Sequence, residues 1–330
     1  MITIDENKPN ELLDYLQQKE WLDKEEAIVS LSKPGDGNMN YVLRVDTGSR
    51  TFIIKQSRGY VEKYPHVSAP AERVVTEGNF YQKISKEPKV QKYMPKLIGL
   101  DEKNNIMVIE DLGKGNDFSH LYNLQYQLAE EEVIELVGYL NALHSSFQKT
   151  VLDDELANLA LRQLNHEHIF HYPFVVDNGF DLNIIQEGLQ ELSIHYKNDR
   201  QLKGQIELLG TLYTSKGKYL LHGDYYPGSW LNVANEIKII DPEFCYYGSR
   251  EFDLGVLLGH LHLTNQNEHL HTVVVREYDA YSELNLDILN GFTGVEIMRR
   301  LIGLAQLPLS IDLKTKRQLL EFAKKLILNN

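Results

Sequence analysis

Between residues 41 and 109 apolar side chains alternate with polar ones or gather in short blocks, whereas from about residue 131 they recur every three or four positions. The first pattern predicts strands over 41–45, 51–55, 96–100 and 106–109. Turns fall at Thr47-Gly48-Ser49 and Lys103-Asn104-Asn105. One or two helices over 9–31 precede these strands, and a helix over 71–84 interrupts them, with Pro70 near its start. The second pattern predicts helices over 131–147, 182–195, 202–213 and 249–263, and in stretches up to 328. Between them, 219–221 reads as a strand. Residues 231–233 and 237–240 read as a hairpin turning at Ala234-Asn235-Glu236. The pattern changes near residue 111, beside Glu110-Asp111-Leu112-Gly113. That predicts an α+β chain of two lobes: a small β-rich lobe over 1–111 and a larger, mainly helical lobe over 112–330.

Composition narrows the function. The chain has 330 residues, 42% hydrophobic and 25% charged, with a net charge of −13. Those proportions are ordinary for a soluble globular enzyme. The acidic balance argues against a nucleic-acid partner, which would need a basic stripe. It leaves room for a nucleotide, whose phosphates a magnesium ion and a few local cations can offset. Cys245 is the single cysteine, so no intrachain disulfide is available, which suits a reducing, cytoplasmic setting. The start, Met1-Ile2-Thr3-Ile4-Asp5-Glu6, has no basic or apolar leader pattern, and no window holds 18 uninterrupted apolar residues. No membrane partner is expected, and a homodimer stays open.

The densest chemistry lies in His222-Gly223-Asp224-Tyr225-Tyr226-Pro227-Gly228-Ser229 and, beyond the hairpin, Ile240-Asp241-Pro242-Glu243. The hairpin is expected to bring Asp224 and Asp241 close in space although 17 positions (241 − 224) separate them. Two acids so placed suit phosphoryl transfer: one orients a hydroxyl and takes its proton, and the other holds the magnesium that bridges nucleotide phosphates. Asp241 and Glu243 flank Pro242, and in an extended segment their side chains would point to one side and hold one or two hard cations. His222 reads as a structural loop residue, and Asp253 as a brace for the loop.

Upstream, Gly35, Asp36, Gly37, Asn38 and Asn40 form a turn that is either a phosphate-binding loop or a plain turn. Lys55 ends the apolar run Phe52-Ile53-Ile54 and precedes an acidic helix. A phosphate loop, a strand lysine and a helix glutamate in that order are the kinase arrangement. Glu77 is the best partner for Lys55, with Glu72 as the alternative. Arg299 and Arg300 lie in a helical run, 295–306. Neighbouring helix positions diverge by about 100°, so one arginine is expected to face the site and the other a carboxylate or solvent.

Taken together these residues resemble the aminoglycoside phosphotransferase/choline kinase superfamily of protein-kinase-like small-molecule kinases, and within it the 5-methylthioribose kinases. The resemblance runs from about residue 33 to 307. Gly35-Asp36-Gly37-Asn38-Met39-Asn40 is similar to that family's phosphate loop, and Ile53-Ile54-Lys55-Gln56 to its lysine strand. Val108-Ile109-Glu110-Asp111-Leu112 is similar to its hinge. His222-Gly223-Asp224 is shared across the superfamily. Ser229, Asp241-Pro242-Glu243 and Met298-Arg299-Arg300 are more specific to the family. The resemblance implies a bilobal protein-kinase-like fold, ATP and Mg2+ as cofactors, and a small hydroxyl-bearing metabolite as acceptor, most simply 5-methylthioribose. It further implies Asp224 as the catalytic aspartate, Asp241 and Glu243 as magnesium ligands, and Lys55 at the phosphates. The backbone of Glu110 and Leu112 would receive adenine, and Arg299 and Arg300 the sugar or the transferring phosphate. Residues 60–69 and Tyr225-Tyr226 depart from the family pattern, which leaves other acceptors in play: choline, ethanolamine, homoserine, another sugar or an aminoglycoside. A non-catalytic nucleotide-binding protein is the rival from another class, and joint retention of Lys55, Asp224 and Asp241 argues against it.

Overall fold

The computed structural model describes residues 2–35, 39–123, 126–278 and 283–329. Two compact units emerge, Met1–Asn116 together with Asn232–Cys245, and Asp117–Leu231 together with Tyr246–Asn330. The segment 232–245 therefore belongs by packing with the first unit, although chain order sets it among the helices.

The first unit is built on an antiparallel sheet of β1 (Ser30–Ser32), β2 (Tyr41–Asp46), β3 (Thr51–Gln56), β6 (Leu97–Asp101) and β7 (Ile106–Glu110), in the order β1-β2-β3-β7-β6. Register decides what each face carries. Leu43, Ile54 and Val108 lie opposite one another and join the core formed with helix α1 (Pro9–Gln18) through Leu12, Tyr15 and Leu16. Val42, Lys55 and Met107 form the next cross-strand row, so their side chains leave by the other face. Helix α2 (Arg73–Ile84) supplies the partner of Lys55 there, and the short helix α3 (Pro88–Gln91) follows it. A two-stranded hairpin, β4 (Tyr60–Val61) and β5 (Tyr64–Ser68), occupies the stretch between β3 and α2. The short β8 (Asn116–Asp117) closes this part of the chain.

The second unit carries the helices α4 (Glu130–Ser146), α5 (Leu159–His166), α6 (Leu189–Lys197), α7 (Arg200–Thr214), α8 (Glu251–Leu263), α9 (Glu268–Glu277), α10 (Leu286–Ile302) and α11 (Leu313–Leu328). Helix α8 is apolar nearly all round and is buried along almost its whole length, as a helix at the centre of a unit must be. Its partner α10 starts where the Asn285 side chain accepts hydrogen bonds from the Asp287 and Ile288 amides. Asp199 and Asp312 cap α7 and α11 in the same way. Strands β9 (Tyr219–Leu221) and β12 (Tyr246–Gly248) pair antiparallel. Before β12 come β10 (Trp230–Val233) and β11 (Glu236–Ile239), joined by Ala234 and Asn235, both at positive φ as a two-residue hairpin turn requires.

Several expected elements change. Of the one or two helices expected over 9–31, one forms and ends at Gln18, Glu20 at φ +60° turns the chain, and 30–32 is an edge strand. The helix over 182–195 is split: Leu182–Ile184 is a single 3-10 turn, and α6 begins only after Gly188 at φ +83°. The helix over 295–306 ends at Ile302, before Gly303. Among the described residues no helix is long and apolar enough to cross a membrane.

Candidate active site

Within the first unit, Lys55 is the centre of a buried charge cluster. Its Nζ donates to Glu77 Oε1 at 2.8 Å and to Asp241 Oδ1. Glu77, not Glu72, is thus the helix glutamate that Lys55 meets; Glu72 stands exposed at the N-cap of α2. Burial works against the Lys55 ammonium, but the Asp241 and Glu77 carboxylates outweigh it and hold its pKa well above the usual lysine range. Burial raises the pKa of Glu77 despite the lysine beside it.

Asp241 and Glu243 do not share an extended segment. Asp241 sits at φ +61°, which breaks the alternation on which their common direction was argued. Asp241 turns to Lys55 with its side chain half exposed, while Glu243 is buried and accepts from Asn40 Nδ2 at 3.1 Å. Arg73 Nε lies 4.0 Å from Glu243, and its guanidinium donates to the carbonyls of Met39, Arg58 (2.7 Å), Pro70 (2.8 Å) and Tyr60 (3.1 Å). One buried arginine so ties the end of the glycine turn to the 60–68 hairpin. Burial, together with the Glu77 and Asp241 carboxylates, pushes Glu243 up to about 8. Two acceptors in this cluster, Asn40 Oδ1 and Glu77 Oε2, are buried without a hydrogen-bond partner.

Gly35 is exposed, and a Cβ there would meet nothing. Asp36, Gly37 and Asn38 lie outside the described residues. Glu110 ends β7; its N–H donates to Lys96 O at 2.8 Å and its carboxylate accepts from Lys96 N at 3.1 Å. After it, Asp111 takes a bidentate ion pair from Arg44 at 2.7 and 2.9 Å, and Leu112 is half-buried before Gly113 at φ +90°.

Within the second unit, Asp224 follows β9 on a loop held from α8. Asp253 accepts from the backbone N–H of His222 at 2.8 Å and of Gly223 at 3.0 Å, and lies 3.3 Å from His144 Nε2. Gly223 takes φ +83°, a conformation that favours glycine. Ser229 Oγ donates to the Asp224 carbonyl at 3.0 Å. The Asp224 carboxylate is 3.8 Å from Arg299 Nη2 and 3.9 Å from Arg300 Nη2. Both arginines are buried and both bind Glu296, Arg300 through Nε at 2.8 Å and Arg299 also through Nε. The expectation that they would diverge is corrected by this acid. Glu296 stands three and four positions before them, where helix geometry puts it beside both. Burial raises the pKa of Asp224, partly offset by Arg300 and Arg299, while Glu296 adds to the rise.

Sequence reasoning passed over Glu296, Arg73, His260 and Tyr122. The i+3 and i+4 spacing of Glu296 to the arginines was a usable signal. Arg73 is distant in sequence from most of the carbonyls it binds, and Tyr122 and His260 meet across 138 positions, so no local pattern marks them.

The family description "phosphotransferase enzyme family" matches residues 30–286. A methylthioribose kinase of Bacillus mycoides (strain KBAB4) is 27% identical over 366 aligned positions, spanning 96% of this chain and 91% of that protein. Among solved structures, a choline kinase from Streptococcus pneumoniae superposes with a TM-score of 0.53 at 10% identity, covering 98% of this chain and 100% of that one. An ethanolamine kinase of Plasmodium vivax gives 0.55 at 14% identity, covering 99% and 89%. The fold is thus that of the protein-kinase-like small-molecule kinases, with a β-sheet unit and a helical unit. The chain belongs to the phosphotransferase enzyme family. It is an ATP-dependent small-molecule kinase.

Proposed function

We propose that this kinase phosphorylates a neutral polyol, 5-methylthioribose, on a hydroxyl. The single observation that carries the acceptor class is the charge around Asp224. Two arginines and two carboxylates, Glu296 and Asp224, sum to zero. A cationic amine such as choline or an aminoglycoside finds no net negative charge here to offset the loss of its hydration, whereas a neutral sugar needs none. The similarity to methylthioribose kinases over nearly the whole chain supports the same acceptor.

In this reading the acceptor hydroxyl hydrogen-bonds to Asp224, which takes its proton as the oxygen attacks the γ-phosphorus. The bond from that phosphorus to the β–γ bridging oxygen breaks, and ADP leaves. Arg299 and Arg300 stabilise negative charge that develops as the phosphoryl group transfers, more in the transition state than in the ground state. Lys55, oriented by Glu77, would turn from Asp241 to the phosphates. The turn around Gly35, Asp36, Gly37, Asn38 and Asn40 would line the phosphates, and the backbone of Glu110 and Leu112 would take the adenine edge.

The donor set beside Lys55 fits magnesium. Glu77, Asp241 and Glu243 outnumber Lys55 and Arg73, burial together with the Glu77 and Asp241 carboxylates pushes Glu243 up to about 8, and Asn40 Oδ1 lacks a partner. Magnesium usually takes only one or two protein carboxylates and completes its shell with water and phosphate oxygens. Asp241 and Glu243 would hold it, and it would supply neutralisation of the β- and γ-phosphates. An ATP supply and a single cysteine suit a cytoplasmic location.

A panel of acceptors tests the reading. ATP consumption with 5-methylthioribose, ribose analogues, choline, ethanolamine, homoserine and an aminoglycoside is expected to be fastest with methylthioribose. A cationic amine as the best acceptor would overturn it.

A further inference from the structure

Behind the two arginines lies a row of buried polar groups that the proposed chemistry does not use. Glu296 Oε1 is 3.0 Å from His260 Nε2, and His260 Nδ1 is 3.1 Å from the Tyr122 hydroxyl. Glu296, His260 and Tyr122 are almost inaccessible to solvent. Helix packing makes room for the row: a Cβ on Gly259 of α8 would lie 3.0 Å from both Cβ and Cγ of Glu296, so glycine lets the acid pass between α8 and α10.

Chemistry gives the row one direction only. Burial would raise Glu296, but Arg299 and Arg300 outweigh it and hold its carboxyl well below the usual range. An ionised carboxylate only accepts, so His260 Nε2 must carry the hydrogen. Burial pushes His260 down to about 4, against the pull of Glu296. The ring is therefore neutral and its Nδ1 accepts. Tyr122, pushed well above its usual range by burial, keeps its proton and donates to Nδ1. Each hydrogen bond sets the next: Tyr122 to His260, His260 to Glu296, and Glu296 receiving Nε–H from both arginines.

We propose that Tyr122, His260 and Glu296 form a positioning relay for the phosphoryl-transfer site. Glu296 takes the Nε–H of Arg299 and Arg300, so that only their terminal amines reach Asp224, 3.8 and 3.9 Å away and short of a hydrogen bond. Without that acid, two guanidiniums would face Asp224 with no other counter-charge and clamp it as a closed ion pair, no longer free to accept a hydroxyl proton. The groups facing Asp224 are Arg299, Arg300 and Glu296 from α10, His222 from its own loop, and Tyr122 and Tyr213 from neighbouring segments. Among these, Glu296 is the acid that opposes the arginines. The relay rests on the kinase reading of Asp224 but not on the identity of the acceptor.

Two measurements on the full chain test the proposal. Side-chain NMR needs no acceptor. Wild-type His260 is expected to be neutral at pH 7 with its hydrogen on Nε2, and Glu296→Gln is expected to lower the Asp224 titration midpoint by about one pH unit, about tenfold in its ionisation constant. Steady-state kinetics with ATP and 5-methylthioribose form the second arm. Glu296→Gln is expected to lower kcat roughly a hundredfold, with KM for ATP changed less than about threefold, because the lost function is exerted on the transferring group. Tyr122→Phe, which removes one hydroxyl and should fold, is expected to leave the hydrogen on His260 Nε2, where Glu296 holds it, to leave Nδ1 without a donor, and to lower kcat about threefold. A His260 that is charged or carries its hydrogen on Nδ1 in the wild type would overturn the relay. So would an Asp224 titration unmoved by Glu296→Gln, or a Tyr122→Phe protein with wild-type kcat. If wild-type protein turns over no methylthioribose, the acceptor reading falls while the NMR arm still decides the relay.

Discussion

Asp253, in the first turn of α8, accepts the backbone N–H of His222 at 2.8 Å. A side chain 31 positions away thereby holds the loop that carries Asp224, and the same carboxylate also receives Gly223 and His144. Removing it leaves two buried amides without an acceptor. Each such amide costs about 1–3 kcal/mol. Asp253→Ala is therefore expected to lower unfolding free energy by roughly 2–6 kcal/mol and to abolish turnover, measured by urea titration alongside activity. A variant of unchanged stability would show that the loop is held by something else.

Lys55 offers the opposite balance of stability and function. Its charge is matched by Glu77 and Asp241, and Glu77 is fully buried. Lys55→Ala leaves that carboxylate uncompensated, and breaking a buried pair from one side costs about 3–5 kcal/mol. The variant is expected to bind ATP more weakly and to unfold at lower urea. Adding Glu77→Gln should recover much of the stability and none of the activity. If both properties return together, Lys55 serves the fold alone.

Acid should destabilise the second unit through His260. Its folded pKa of about 4 lies below the usual histidine value, so the unfolded chain binds more protons in between. The stability it contributes is full above about pH 6.5 and is lost as pH falls towards about 4, a loss of about 3 kcal/mol. Glu296 acts in the same direction at still lower pH, since its carboxyl is held down in the fold. Urea unfolding between pH 7 and 4 is expected to show this slope in the wild type and a flatter one in His260→Asn. Equal slopes would place the titrating group elsewhere.

Arg300→Ala removes the guanidinium that also stacks 5.0 Å from the Tyr226 ring. We expect kcat to fall by about ten- to a thousandfold while KM for ATP moves little, as for a group acting on developing charge. Arg299→Ala should behave alike, because both arginines share Glu296 and approach the same oxygen of Asp224. A rise in KM for ATP at constant kcat would assign the pair to nucleotide binding.

Local pattern carried much of this protein. Alternating apolar residues determined the strands at 41–46, 51–56 and 106–110 and, through them, which face Lys55 leaves by, because strand geometry has a fixed period of two. Helical spacing marked the helix that bears Glu77 and the one that bears Arg299 and Arg300. What failed locally were segments whose backbone is set by a single residue at positive φ. Glu20 turned the chain within the helical stretch expected over 9–31, Gly188 split a helix, and Asp241 turned two acids apart that an extended chain would have aligned. Only the tertiary structure decided the second layer of the site. Arg73 on four carbonyls and the line from Tyr122 through His260 to Glu296 join residues that are mostly far apart in the chain, whereas Asp253, expected as a brace, does hold the loop that carries Asp224. Their partners are chosen by burial, which forces each polar group to find whatever donor or acceptor the fold brings near.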